Sequence, residues 1–220
     1  MNKTFDASLN KINLIVIGCI FASLFAWNQE PELVIEYLAF SGENLFHGKV
    51  WTLFTALFVH GDPVHLLGNM LFLFVFGNTL EKEVETKRTF SVFFTGGVLS
   101  FLLSLPFYDP TVPMIGASAA IFTLTAIVML INPLKFSFLF LMPQGLVAII
   151  YFTYNVIAVY TGIQGNIAYI SHIIGFLIGI PFGMAWSESW AKNLLITIAL
   201  FLIYFLIIFY ILPIALDLLL

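Results

Sequence analysis

The sequence predicts an all-α polytopic membrane protein, and three observations carry that prediction. Of its 220 residues, 61% are hydrophobic and only 9% are charged, where soluble domains carry about a quarter charged residues. Seven apolar runs fall near 12–28, 64–80, 89–107, 116–132, 144–160, 167–186 and 193–215. Each approaches the roughly 20 residues that a helix needs to cross the hydrocarbon core. The intervals between most runs are short, so the chain reads as one membrane domain over residues 1–220 with no soluble domain.

The first run is too long for a removed signal peptide, lacks a small-residue cleavage site and is read as a retained helix. It holds the lone Cys19, a small apolar filler, so disulfides and cysteine metal sites are excluded for a single chain. The segment 29–63 is an unusually long connection carrying Glu30, Glu32, Glu36, Glu43 and Asp62. The connection 133–143 is short and itself apolar. Lys and Arg are held on the cytoplasmic side of membranes. With the N-terminus inside, inward segments hold Lys3, Lys11, Lys82, Lys87, Arg88, Lys135 and Lys192, and outward segments hold only Lys49. The long connection and the C-terminus then face outward. Chain length and the lack of an appended domain suggest a minimal microbial protein of the plasma membrane. A net charge of −4, spread over loops, leaves no nucleic-acid footprint.

Polar residues at helix depth are the informative ones, because burying them without partners costs several kcal/mol, on the order of 2–7 by transfer measurements. They are His65, Asn69, Ser118, Asn155 and His172. His65 and Asn69 lie four apart and share a helix face. As two donors they suit an anionic oxygen, or they serve as interhelical polar contacts; spacing alone leaves both open. His172 precedes Gly175, Gly179 and Gly183, a small-residue seam that lets two helices approach until their backbones touch. Gly116 and Ala120 form a matching small pair around Ser118. This packing predicts the 116–132 helix against the 167–186 helix, with Ser118 close to His172. A histidine there can take the serine proton and create a nucleophile; the bland alternative is a buried His beside a Ser that only permits packing. No acidic residue lies in either helix, so a reactive pair would be a dyad. Asn155 reads as a packing contact or a lateral hydrogen bond, with no role in the site. The connection TGIQGN at 161–166 reads equally as a mobile cap over the site or an ordinary turn.

Other membrane chemistries drop out. No HExxH string offers a zinc site, no metal is expected, and no carboxylate pair lies within helices. GASAA lacks the final Gly of GxSxG and leads into a lipid-length helix. A transporter is the outsider, since neither an internal repeat nor an intramembrane charge is evident.

Three stretches resemble the signatures of the rhomboid intramembrane serine proteases, in the family's order: WTLFTALFVHGDPVHLLGNMLFLFVFGNTLE at 51–81, GASAA at 116–120 and SHIIGFLIG at 171–179. The resemblance implies a six-helix core over about 12–186 and one extra C-terminal helix over about 193–215. It implies Ser118 as nucleophile and His172 as general base. His65 and Asn69 would bind the oxyanion with the Ser118 backbone N–H, and Gly116 would admit substrate backbone. Gly175 and Gly179 would hold the last core helix close, and His60 and Trp51 would belong to a partly embedded outward hairpin. Its implied partners are membrane proteins with a transmembrane helix, in the lipid bilayer, with no cofactor. Four positions depart from the pattern: Ala119 and Glu85 stand where Gly is usual, Thr52 where Arg is common, and Phe122 where Tyr often stacks on the base. In each of the three site-bearing runs the polar residues fall near the outward end, at similar depth.

Overall fold

The computed structural model of the chain describes residues 10–163 and 168–217. Helix α1 (Asn13–Ala26) is followed by three short helices, α2 (Pro31–Tyr37), α3 (Gly42–Phe46) and α4 (Thr52–Thr55), which fill the long connection 29–63. Then comes α5 (Pro63–Phe72), opened by Pro63 and by Asp62, whose side chain accepts the His65 N–H at 2.8 Å. A π-turn over Leu73–Gly77 leads into α6 (Asn78–Ser104).

The helical stretch Pro63–Phe107 runs for 45 residues, about 68 Å at helical rise, twice the thickness of the hydrocarbon core. It is interrupted at Glu85, whose backbone is non-helical at φ 72°, ψ 162°. That residue divides the stretch into 63–84 and 86–107, about 33 Å each, and the charged run Glu81–Arg88 gathers around the break. Besides this stretch, Gln144–Thr161 (α8), Tyr169–Trp186 (α9) and Trp190–Ile214 are long and apolar enough to cross a membrane. The last comprises α10 (Trp190–Leu206), a second π-turn and the start of α11 (Leu212–Asp217). Two apolar helices are shorter, α1 and α7 (Ser118–Ile131). The chain is thus an essentially all-helical polytopic membrane protein. Among the described residues a small β ladder lies in the apolar connection 133–143, where β1 (Phe136–Ser137) pairs with β2 (Met142–Pro143).

α7 is the axis of the bundle, with Ala119 through Leu130 all buried. Glycine faces close on it from two sides. On α9, a Cβ at Gly175 would clash with the Ala119 carbonyl, one at Gly179 with the Thr123 carbonyl, and one at Gly183 would stand 2.8 Å from Leu130 Cδ1. On α6, a Cβ at Gly96 would strike Thr123 and one at Gly97 would come 2.6 Å from Leu57 Cδ2. Thr123 Oγ1 donates across the seam to the Gly175 carbonyl at 2.8 Å. At the C-terminal end of α7, Asn193 of α10 donates its amide to the Leu130 and Ile131 carbonyls at 2.7 and 3.0 Å. The extra C-terminal helix is therefore tied to the core by satisfying carbonyls that a helix end leaves orphaned.

α1 is fastened in a similar way. No side chain of its own caps its first turn. Instead the buried Glu81 carboxylate, from α6, accepts the N–H groups of Lys11 and Ile12 at 2.9 and 2.8 Å, and Thr86 Oγ1 donates to the same group at 2.5 Å. A carboxylate at a helix N-terminus also complements the helix dipole.

Two substitutions test this architecture. Glu85 is exposed and adopts a conformation that essentially only glycine reaches without strain. Glu85→Gly is expected to raise stability by about 1 kcal/mol, read from unfolding in detergent. Gly175→Val, which drives a branched side chain into the Ala119 carbonyl, is expected to lower it by about 1–3 kcal/mol in the same assay.

Candidate active site

Ser118 is the first residue of α7, two positions later than the apolar pattern suggested, and it is half-buried. Its position follows from what precedes it. The segment 108–117 is non-helical yet dips among the helices, and irregular backbone survives there only if its polar groups find partners in protein. The long connection 29–63 supplies them. Phe40 and Met114 exchange backbone hydrogen bonds at 3.0 and 2.7 Å, the Gly116 N–H donates to the Ala56 carbonyl at 2.8 Å, and the Ala117 N–H donates to His60 Nε2 at 3.3 Å. As the first helical residue, Ser118 keeps a backbone N–H with no partner inside the helix.

His172 lies three residues into α9, about 4.5 Å from its start. The closeness of α7 and α9 brings its Nε2 to 2.7 Å from Ser118 Oγ. Phe122, one turn along α7, stacks on the imidazole with centroids 4.7 Å apart and planes 9° from parallel. The other ring nitrogen, Nδ1, lies 2.8 Å from Asn155 Oδ1 of α8.

His65 stands on the opposite side of the serine loop. Its Nδ1 accepts a long 3.4 Å hydrogen bond from the Gly61 N–H, which leaves the ring proton on Nε2. That nitrogen faces Gly116: a Cβ there would sit 2.8 Å from it. Gly116 is required twice over, since its φ is +109° as well. The space a side chain would take beside the serine is thus occupied by the imidazole. Asn69 is buried one turn further along α5 and donates to the His65 carbonyl at 2.9 Å, keeping its second N–H and its oxygen.

His60 has a different place. Since its Nε2 accepts the Ala117 N–H, its proton sits on Nδ1 and points to Ser23 Oγ of α1 at 3.1 Å. Its ring also meets His65 edge-on at 5.1 Å. Trp51 donates its indole N–H to the Tyr37 carbonyl at 3.0 Å, and the buried Thr52 donates to the Lys49 carbonyl at 2.7 Å, so the hairpin is anchored without an arginine. Two functions escaped the sequence reading. His60 holds the backbone next to the serine, and Asn155 touches the histidine. A depth count pointed to the second: Asn155 lies six residues before the end of α8 and His172 three after the start of α9, facing ends within about a turn of each other. The glycine-bearing connection 161–166, read as a cap or a turn, lies outside the described residues from 164 on; Gly162, which is described, is the left-handed C-cap of α8. Among the described residues no group of His, Cys, Asp and Glu side chains is arranged to hold a metal ion.

Sequence comparisons bear on this arrangement. The profile of the Rhomboid domain matches residues 47–189. The chain is similar to RHOMBOID-like protein 7 of Arabidopsis thaliana, with 30% identity over 83 residues, 38% of this chain and 26% of that protein. It is similar to Rhomboid-like protease 3 of Toxoplasma gondii, with 27% identity over 110 residues, 50% of this chain and 41% of the relative. Rhomboid-like protease 2 of the same organism is 29% identical over 97 residues, 44% of this chain and 34% of its own length. The chain thus spans between about a quarter and two fifths of the relatives it matches.

The His60 contacts have a consequence for pH. Burial first, and the neighbouring His65 second, hold the His60 pKa down at about 4, from an ordinary 6.5. Between these values the unfolded chain binds the proton that the folded chain excludes, so stability is full above pH 6.5 and falls as pH drops toward 4. The slope contributed is at most about 1.4 kcal/mol per pH unit. Unfolding in detergent across pH 4–8 is expected to show this loss, and the loss is expected to flatten in His60→Asn.

Proposed function

The chain belongs to the rhomboid family, and on that premise we propose that it is an intramembrane serine endopeptidase that cuts transmembrane segments of other membrane proteins with Ser118 and His172. The observation that carries this reading is the 2.7 Å contact between Ser118 Oγ and His172 Nε2, at the half-buried start of a helix beside two unused donors.

In this mechanism His172 Nε2 takes the Ser118 proton as Oγ attacks the scissile carbonyl carbon. The developing oxyanion is met by the Ser118 backbone N–H and by His65 Nε2–H, with the free Asn69 N–H as a further donor. His172 returns the proton to the leaving amine, whose C–N bond breaks to give an acyl-enzyme. Water, activated by the same imidazole, then releases the carboxylate. The substrate must be extended at the cut, because a helix hides its peptide bonds in its own hydrogen bonds. Small residues at the cut and helix-weakening residues beyond it are the substrate features that fit.

The site-bearing helix ends face outward in this reading, with the N-terminus cytoplasmic and the C-terminus outside, as the seven-to-one distribution of basic residues favours. We place the chain in the plasma membrane, as one membrane domain with a core over about 12–186.

Labelling of the detergent-purified chain by a fluorophosphonate tests the proposal, with Oγ displacing fluoride from phosphorus. Wild type is expected to label and Ser118→Ala to be inert. His172→Ala is expected to label at least roughly a hundredfold more slowly, as follows from losing a positioned general base. Absence of labelling from folded wild type would instead identify a rhomboid-like protein that binds transmembrane segments without cutting them.

A further inference from the structure

The geometry points to Asn155 as a positioning residue that completes a Ser118–His172–Asn155 relay, its side-chain oxygen fixing the imidazole tautomer that the serine needs. The inference rests on the protease reading for its catalytic consequence, but the hydrogen bond itself can be tested apart from it.

The amide orientation is set by its surroundings. Asn155 Nδ2 donates to the Tyr151 carbonyl at 2.8 Å, which turns Oδ1 toward His172 Nδ1, also at 2.8 Å. An amide oxygen has no proton to give. His172 Nδ1 must therefore carry the hydrogen, and Nε2 is left with the lone pair that faces Ser118 Oγ. The opposite tautomer would set a lone pair against Oδ1 and an N–H against the hydroxyl, blocking proton transfer. Both partners are buried, with Asn155 3% and His172 9% exposed, so water offers no ready substitute. Stacking on Phe122 fixes the ring plane, and the amide oxygen fixes the ring's flip within that plane. The two restraints are complementary.

The role falls to an amide because no carboxylate is within reach along the chain: residues 110–187, which include all of α7, α8 and α9, contain no Asp or Glu. A neutral acceptor orients the ring without the cost of burying a charge at membrane depth. The titratable group that acts on His172 is His65, from α5.

The test uses the full chain in detergent and two variants. Asn155→Leu has nearly the same shape and suits a lipid-depth helix, so it retains the fold, as thermal melting will verify. Its rate of fluorophosphonate labelling is expected to fall roughly tenfold to a hundredfold, the scale of a misplaced catalytic group. Asn155→Asp restores an acceptor and adds charge that favours the imidazolium. It is expected to recover labelling at high pH, with the acidic limb of the rate profile moved to higher pH, a shift that a packing role would not produce. Nitrogen-15 NMR of the His172 ring is expected to find the proton on Nδ1 in wild type and to lose that preference in Asn155→Leu. Wild-type labelling rates in folded Asn155→Leu, an unmoved acidic limb in Asn155→Asp, or an Nε2–H tautomer in wild type would each overturn the inference. If wild type fails to label, the protease reading falls while the NMR measurement still decides the hydrogen bond.

Discussion

The site depends first on how closely α9 approaches α7. The two helices meet backbone to backbone, because Gly175 and Gly179 present no side chain to the Ala119 and Thr123 carbonyls. Lipid tails are as apolar as the helices, so no hydrophobic force drives this approach; close van der Waals contact and the Thr123–Gly175 hydrogen bond do. An interposed methyl group at either glycine would move α9 outward. Since Ser118 begins α7 and His172 lies near the beginning of α9, such a shift acts directly on the 2.7 Å contact between them. Helix packing and site geometry are here the same quantity.

The second requirement is polar satisfaction where water is scarce. A serine at the very start of a helix keeps its N–H free, but the chain leading to it must then be irregular inside the bundle. The long connection 29–63 supports that irregularity with the Phe40–Met114 pair, the Ala56 carbonyl and the His60 ring. Its three short helices are thus part of the site although none of them contributes a group that touches the serine. His60 in turn is held by Ser23 of α1, so the first apolar segment and the long connection meet at the backbone they jointly steady.

Much of this was legible in the sequence, and the parts that were not share a cause. Apolar run length located the apolar helices because the bilayer imposes a fixed thickness, although α1 and α7 are shorter than their runs and fall below spanning length. The glycine spacing of α9 showed which helix comes near α7 because a bare face has few other uses. The equally bare Gly96–Gly97 step on α6 carries no periodic repeat and drew no notice. Helix α7 begins at Ser118 rather than near 116 because the hydrogen bonds that Gly116 and Ala117 donate to residues 56 and 60 hold them out of the helix, and no local pattern records partners so distant in sequence. Asn155 was visible as a polar residue at depth, yet its partner was not, since that depends on the rotation of α8 about its own axis. The small β1–β2 hairpin was likewise hidden in an apolar connection that alternates no more than its neighbours.

The fastening of α1 by Glu81 has a consequence in time. The carboxylate and the two N–H groups it receives are 69 and 70 residues apart. During synthesis, at about 5–20 residues per second, α1 leaves the ribosome roughly 4 to 14 seconds before the group that caps it exists. Until then its first turn has only lipid headgroups and water for partners. Helix α1 is therefore seated later than its place in the chain implies, and it waits in the bilayer for the start of α6 to reach it.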